Sequence, residues 1–373
     1  MNKINSQAIY ISYGDDPKSM VKELFDKYPP FPELNYNAKI GLKPNLVLPN
    51  SSESGATTSP ELVSGIVEHF LSRGFKKLII MESSWVGAST EASFEKCGYT
   101  AISNRYNLPL VDLKTVPTKA ITFKDHTIKI ATPPLQVDRL VNVPVLKAHC
   151  QTDVTCALKN LKGCLPDSEK RNFHIQGLDH YIATLNQILF PDLTIVDAIL
   201  GDLTFEEGGN PVNMGRILMG TDPVLIDSYG AHLLGYSSDK LPSHIELAGQ
   251  SGVGSVYHPE KHEIVELNRN RRQMDFFRTR GPFLNELKSY LEEDMACSPC
   301  TGSVYQALMR LKDEGSLKKL KVKIALGQGV NKWTRDYIEG HLGVGECTRH
   351  CSDYVSGCPP RADKILSMLK NYL

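Results

Sequence analysis

Hydrophobic and polar positions over the first 250 residues follow two alternating rhythms. Ala8 to Ser12 and Lys39 to Lys43 are short β-type runs, and Ser19 to Lys27 between them places apolar side chains at helical spacing. Ser59-Pro60-Glu61 then supplies a helix cap with proline at the first helical position, and the helix runs to about Arg73, before Gly74. Lys77 to Glu82 reads as a buried strand, and Thr90 to Cys97 and Thr100 to Tyr106 as helices.

From Leu110 to Pro134 the pattern changes to short strand-like pieces around Ala120 to Phe123 and Thr127 to Ile130, a hairpin excursion. Arg139 to Lys147 returns to a central strand, with Pro144 setting a bulge or the strand's end. Leu193 to Ile199 and Arg216 to Gly220 are further strands, with helices at Leu178 to Leu189 and Pro223 to Leu234. Repeated alternation of this kind predicts an α/β fold with a mostly parallel sheet flanked by helices. The predicted organisation is an α/β domain over 1–250, a connector over 251–290 and a small C-terminal cysteine-rich α/β metal-binding module over 291–373.

Composition narrows the class. The 373 residues are 41% hydrophobic, enough for a substantial core, and 42 basic residues balance 42 acidic ones. No global field favours nucleic acid or an anionic membrane, and the run Arg269 to Arg272 reads as a solvated surface. The start lacks the apolar centre of a secretory signal, and no run approaches the ~20 apolar residues of a membrane helix, so a cytoplasmic protein is expected. Nine cysteines, an odd number in a large chain, argue for reduced thiols, some of them ligating metal, rather than a disulfide framework.

The densest polar stretch runs from Leu146 to Cys164. Lys147 and His149 leave a strand at the end where open α/β sheets bind ligands. Thr155, Lys159 and Lys162 are spaced to meet on a helix, whose amino end would add donors toward an anion. Lys43 and Asn45 follow the second strand, where Pro44 turns the chain at the same kind of edge. The expected site therefore uses Lys147, His149 and His174 for catalysis. Lys43, Asn45, Thr152, Lys159, Asn160 and Glu207 are expected to bind a small anionic substrate or cofactor. His174 and His180 follow a predicted loop containing Asp167, Glu169, Lys170 and Arg171, so these two imidazoles and that of His149 would converge.

Asp197, Asp202, Glu206 and Glu207 form an acidic group that reads equally as a solvated loop and as a hard-cation or acid–base site. Asp222 reads as a helix cap before Pro223. Cys150, Cys156 and Cys164 match no short metal clip and read as buried or loop thiols. No P-loop, dinucleotide glycine fingerprint or nucleophile elbow is present, which lowers the weight of an ATPase, a classical dehydrogenase or a hydrolase.

Cysteines also close the chain: Cys297-Ser-Pro-Cys300, then Gly345-Glu-Cys347-Thr-Arg-His-Cys351 and Gly357-Cys358-Pro-Pro-Arg361. Thiolates two residues apart can hold one metal centre that distant thiolates complete. Iron–sulfur is the leading reading, and zinc at the same cysteines is the alternative. A redox disulfide between Cys297 and Cys300 would leave Cys347, Cys351 and Cys358 unexplained.

Five segments together resemble the DUF362 family over roughly residues 5 to 250: Lys43-Pro-Asn-Leu-Val47, Val143-Pro-Val-Leu-Lys-Ala-His149, Ala157-Leu-Lys-Asn-Leu-Lys-Gly163, Glu207-Gly-Gly-Asn-Pro211 and Gly220-Thr-Asp-Pro-Val-Leu-Ile-Asp227. The resemblance implies a large α/β domain associated with anaerobic redox metabolism. His149 followed by a lysine-rich, glycine-ended segment is also similar to nickel-pincer lactate racemases. The segment around Cys358 resembles the cluster-binding ending of the small subunits of nickel–iron hydrogenases and NADH:quinone oxidoreductases. Carrying over the cysteine pattern implies one 4Fe-4S cluster on Cys297, Cys300, Cys347 and Cys358, with Cys351 as a substitute for Cys347.

The resulting expectation is an iron–sulfur oxidoreductase or electron-transfer protein of anaerobic-type metabolism. It would have a redox partner protein and a small anionic ligand, and no nucleic-acid or membrane partner. Two alternatives are a non-redox ligand-binding or maturation protein with a structural metal, and a divalent-metal-dependent enzyme.

Overall fold

A computed structural model describes residues 3–204, 206–272 and 286–373. Within them the chain forms two compact units, one from residues 3–170 and 178–272 and the other from 171–177 and 286–373. The first unit is built on an eight-stranded sheet. In chain order its strands are β1 (Ala8–Tyr13), β2 (Lys39–Pro44), β3 (Lys77–Glu82), β4 (Leu110–Asp112), β7 (Arg139–Val143), β10 (Leu193–Asp202), β11 (Pro211–Gly220) and β12 (Glu263–Glu266). Between them lie two ribbons, β5 (Thr118–Phe123) with β6 (His126–Ala131) and β8 (Lys147–His149) with β9 (Asp153–Thr155).

Across the sheet the order is β12-β1-β11-β10-β7-β2-β3-β4, and only β11 runs antiparallel to its neighbours. The fold is α/β, a mostly parallel sheet flanked by helices. Both faces are covered, which explains why the strands read as nearly continuous apolar runs. Ala8 and Tyr10 of β1 enter one core, with the helices Pro17–Lys27 and Pro60–Ser72, while Ile9, Ile11 and Tyr13 enter the other, with Leu178–Ile188, Pro223–Leu233 and Ser243–Gln250. Alternate side chains of one strand thus feed two cores, the two-residue period of a pleated strand.

The punctuation read from sequence has visible causes. Ser59 accepts the amide of Leu62 at the start of its helix, and Asp222 accepts those of Val224 and Leu225, both at 2.9 Å. Pro144 ends β7 one residue earlier, as expected, so Lys147 lies on the separate β8–β9 ribbon.

Three expectations change. Thr155, Lys159 and Lys162 share no continuous helix: Thr155 ends β9, a four-residue helix covers Ala157–Asn160, and a tighter turn covers Leu161–Cys164. Cys156 breaks the run with extended backbone (φ −154°, ψ −136°), and Asp227, from another helix, caps the amides of Ala157 (2.6 Å) and Leu158 (3.0 Å). The loop expected after Pro166 is instead a helix, Asp167–Gln176. Lys170 holds it, donating to Ser84 O at 2.5 Å and to Ser83 O at 3.0 Å. Finally, the segment expected as a connector contributes β12, an edge strand paired with β1. Residues 273–285 of that segment lie outside the described residues.

The second unit is a smaller α/β layer. Four parallel strands, β13 (Leu291–Glu293), β14 (Lys323–Leu326), β15 (His341–Val344) and β16 (Asp353–Val355), pair in chain order. The helices Ser298–Asp313 and Ala362–Lys370 belong to this unit. Among the described residues no helix is long and apolar enough to cross a membrane.

Candidate functional sites

In the first unit, β10 and β11 continue past the sheet as a hairpin whose connection carries Glu206 and Glu207. Asp202 fixes that connection: its carboxylate accepts the amides of Thr204 (2.7 Å) and Asn210 (2.9 Å), and its own amide donates to Gly55 O (3.1 Å). Gly208 sits in left-handed backbone (φ +77°) with no room for a side chain, since a Cβ would lie 2.6 Å from Ser54 O. These contacts hold the loop in one place.

There Glu206 meets the end of β8. Its carboxylate accepts the Cys150 amide at 3.0 Å and the Cys150 thiol at 2.9 Å, and His149 Nε2 stands 3.4 Å away. His149 Nδ1 accepts the amides of Gln151 (3.0 Å) and Thr152 (3.2 Å), so the ring proton belongs on Nε2, facing Glu206. All three side chains are buried, and one nitrogen, one sulfur and one oxygen from them lie within 4.8 Å of one another.

Cations surround this group. Lys147, also buried, donates to the carbonyls of Glu206 (2.7 Å) and Ala56. Burial, with help from Lys159, lowers its pKa to about 7 against the pull of Glu206, Asp202 and Glu207. Lys159 is lowered to about 8 by burial, opposed by Glu206, Cys150 and Asp179. Among the described residues it makes no hydrogen bond or salt bridge. Glu207 is raised to about 8 by burial and by Glu206. Burial thus brings Lys147, Lys159 and Glu207 toward neutrality.

Other residues expected at the site serve the frame. Lys43 is fully buried and pairs with Glu82 at 2.7 Å, while Glu82 also accepts the amides of Leu46 and Ser83. Gly163 makes room for that pair: a Cβ would fall 2.1 Å from Glu82 Oε1 and 2.5 Å from Lys43 Nζ. Asn160 donates to Lys43 O (3.1 Å) and to Asn142 Oδ1 (2.8 Å). Asn45 is buried, with its amide on Thr58 Oγ1 at 2.8 Å. Thr152 Oγ1 donates to Val154 O at 3.3 Å. His180 is exposed and faces His126 at 2.9 Å, and His174 lies in the stretch that groups with the second unit.

The second unit gathers thiols at one sheet edge. Cys297, Cys347 and Cys358 each follow the carboxyl end of a parallel strand, β13, β15 and β16, so the topology delivers all three to the same side. Cys300 stands in the first turn of the helix that Cys297 precedes, and its amide donates back to Cys297 O at 3.0 Å. The two later loops are tied together by Gly345 N to Val355 O (2.9 Å) and by Gly357 N to Glu346 Oε1 (2.9 Å). Gly345 turns the chain beside Cys300 with left-handed backbone (φ +92°).

Burial raises the Cys300 thiol, and Cys297, Cys358 and Cys347, in that order, raise it further. Burial likewise raises Cys347, followed by Cys358, with Arg171 opposing. Cys351 stands apart, packed with Ala325, Val330 and Ile338, and no other thiol contributes to its rise.

Residues 40–232 match the model of DUF362, a domain of unknown function, which is just over half of the chain. The chain belongs to the DUF362 family. A thylakoid-associated protein of Synechocystis sp. is 25% identical over 227 residues, covering 58% of this chain and 68% of that protein. Among solved structures, the lactate racemase apoprotein of Thermoanaerobacterium thermosaccharolyticum aligns at 10% identity and a TM-score of 0.40 over 60% of this chain. A Thermotoga maritima protein aligns at 12% identity and a TM-score of 0.37 over 64% of it. The chain spans 57% and 60% of the lengths of those two structures.

The DUF362 match contains His149, Cys150 and Glu206 and ends before Cys297, Cys300, Cys347 and Cys358. Within the matched region, Cys150 is the residue that sequence reasoning passed over as an ordinary buried thiol. It is buried, but on a carboxylate 56 residues away. The available signal was its place directly after His149 at a strand end.

Proposed function

We propose that this DUF362 protein is an iron–sulfur oxidoreductase or electron-transfer protein. Cys297, Cys300, Cys347 and Cys358 would hold one 4Fe-4S cluster, and the α/β unit would bind a small anionic substrate or cofactor. The observation that carries the reading is the topology of the second unit, where Cys297, Cys347 and Cys358 follow the carboxyl ends of parallel strands and Cys300 stands one turn after Cys297, while Cys351 is packed into an apolar cluster. The donor set suits the cofactor: four thiolates bind such a cluster, and it supplies one-electron chemistry when bound.

In the first unit Lys159 is the best-placed residue for the anion, because among the described residues its ammonium has no direct partner. Lys147 and His149 would hold or move protons next to it, Lys147 with its pKa near neutrality and His149 with its Nε2 proton facing Glu206.

Single serine replacements read by iron content test the assignment. Cys347→Ser should lose most of the iron of anaerobically purified protein, whereas Cys351→Ser should keep it. Equal loss in both, or loss only with Cys351→Ser, would reject the ligand set.

A further inference from the structure

We propose that His149, Cys150 and Glu206 form a second metal site, in the α/β unit, for one divalent first-row transition ion. Their donors comprise one imidazole nitrogen, one thiol sulfur and one carboxylate oxygen, all buried and within 4.8 Å of one another. Imidazole with thiolate selects ions of the zinc, iron(II) or cobalt(II) kind over magnesium or calcium, which take oxygen ligands. Three protein ligands leave a position open for water or substrate, the pattern of catalytic rather than structural sites.

The surroundings hold the Glu206 donor in place. Lys147 Nζ clamps the backbone of Glu206 at 2.7 Å, and Asp202 closes the loop through Thr204 and Asn210. Supports of this kind orient the ligands of metal sites. The thiol donates its hydrogen to Glu206 Oε1, and the Nε2 hydrogen faces the same atom. The ion would take the place of these two hydrogens. The thiol proton leaves to solvent, giving the thiolate, and the imidazole proton moves from Nε2 to Nδ1. The amides of Gln151 and Thr152, which now donate to Nδ1, must then turn away, so loading reshapes this short turn.

The test is a cobalt(II) titration of the full-length, anaerobically purified protein, followed by the thiolate-to-cobalt absorption in the near ultraviolet. Wild type should take up one ion with this band. Cys150→Ala should lose the band and bind at least about 100-fold more weakly, since even outer-shell changes cost 10–100-fold. Cys300→Ser, which alters only the thiol group of the second unit, should leave the band in place.

The proposal is overturned if wild type shows no such band, if Cys150→Ala keeps band and affinity, or if the band disappears in Cys300→Ser alone. Should Cys150→Ala fail to fold, by far-ultraviolet circular dichroism, Glu206→Gln, which removes the carboxylate donor and keeps the thiol, should bind cobalt(II) at least about 100-fold more weakly, and unchanged affinity there overturns the proposal. As a second readout, zinc should raise the melting temperature of Cys300→Ser and leave that of the Cys150→Ala or Glu206→Gln variant unchanged.

Discussion

The two candidate sites are built in opposite ways. In the second unit, three parallel strands each end a few residues before a cysteine, so sheet topology alone gathers Cys297, Cys347 and Cys358, and Cys300 follows one helical turn after Cys297. In the first unit, adjacent residues at a strand end, His149 and Cys150, meet a carboxylate from a distant hairpin loop, Cys150 through two hydrogen bonds and His149 with Nε2 at 3.4 Å. The loops of the first kind are brought together by strand pairing and by the hydrogen bonds between them. In the second kind buried polar groups depend on one another, so removing a member should cost folding energy directly.

Two substitutions sharpen this contrast. Glu206→Ala strips the acceptor from the Cys150 thiol, the Cys150 amide and the facing His149 proton, all buried. It should destabilise the protein by about 3 kcal/mol or more in urea unfolding while leaving iron per chain unchanged. A fall in iron with no loss of stability would erase the distinction between the sites.

A smaller effect is expected at Asp227, which anchors the helix after β9 and whose pKa burial raises to about 6. A buried carboxyl raised in this way adds stability that is fully present below its unfolded value of about 4 and is lost as pH rises through about 6. Asp227→Asn should therefore flatten the stability–pH curve between about pH 4 and 6 by roughly 2–3 kcal/mol. An unchanged slope in urea midpoints across that range would contradict the assignment.

How much of this was readable in the chain follows the same division. The strand and helix rhythm was legible because both faces of the sheet are buried, and β1 shows it with alternate residues in separate cores. The caps at Ser59 and Asp222 were legible because they act within a few residues. Lys43 was read as a ligand-binding lysine because sequence places it at a strand's carboxyl end. That Glu82 ends the neighbouring strand β3 and takes its charge is a fact of sheet order.

The helix Asp167–Gln176 has only Phe173 fully buried as a large apolar anchor, and it is held by Lys170 reaching the carbonyls of Ser83 and Ser84. Its periodicity was therefore too weak to read. Asp227 shaping the Ala157–Asn160 helix, and Glu206 meeting Cys150, are contacts across 70 and 56 residues that local patterns do not carry.

The central claim is the 4Fe-4S cluster of the second unit, and its most direct test is iron and acid-labile sulfide analysis of the anaerobically purified full chain, with absorbance recorded before and after reduction. The account predicts about four iron and four sulfide per chain and a broad visible absorbance that bleaches on reduction. Zinc without labile sulfide, or colourless protein free of metal, would contradict it.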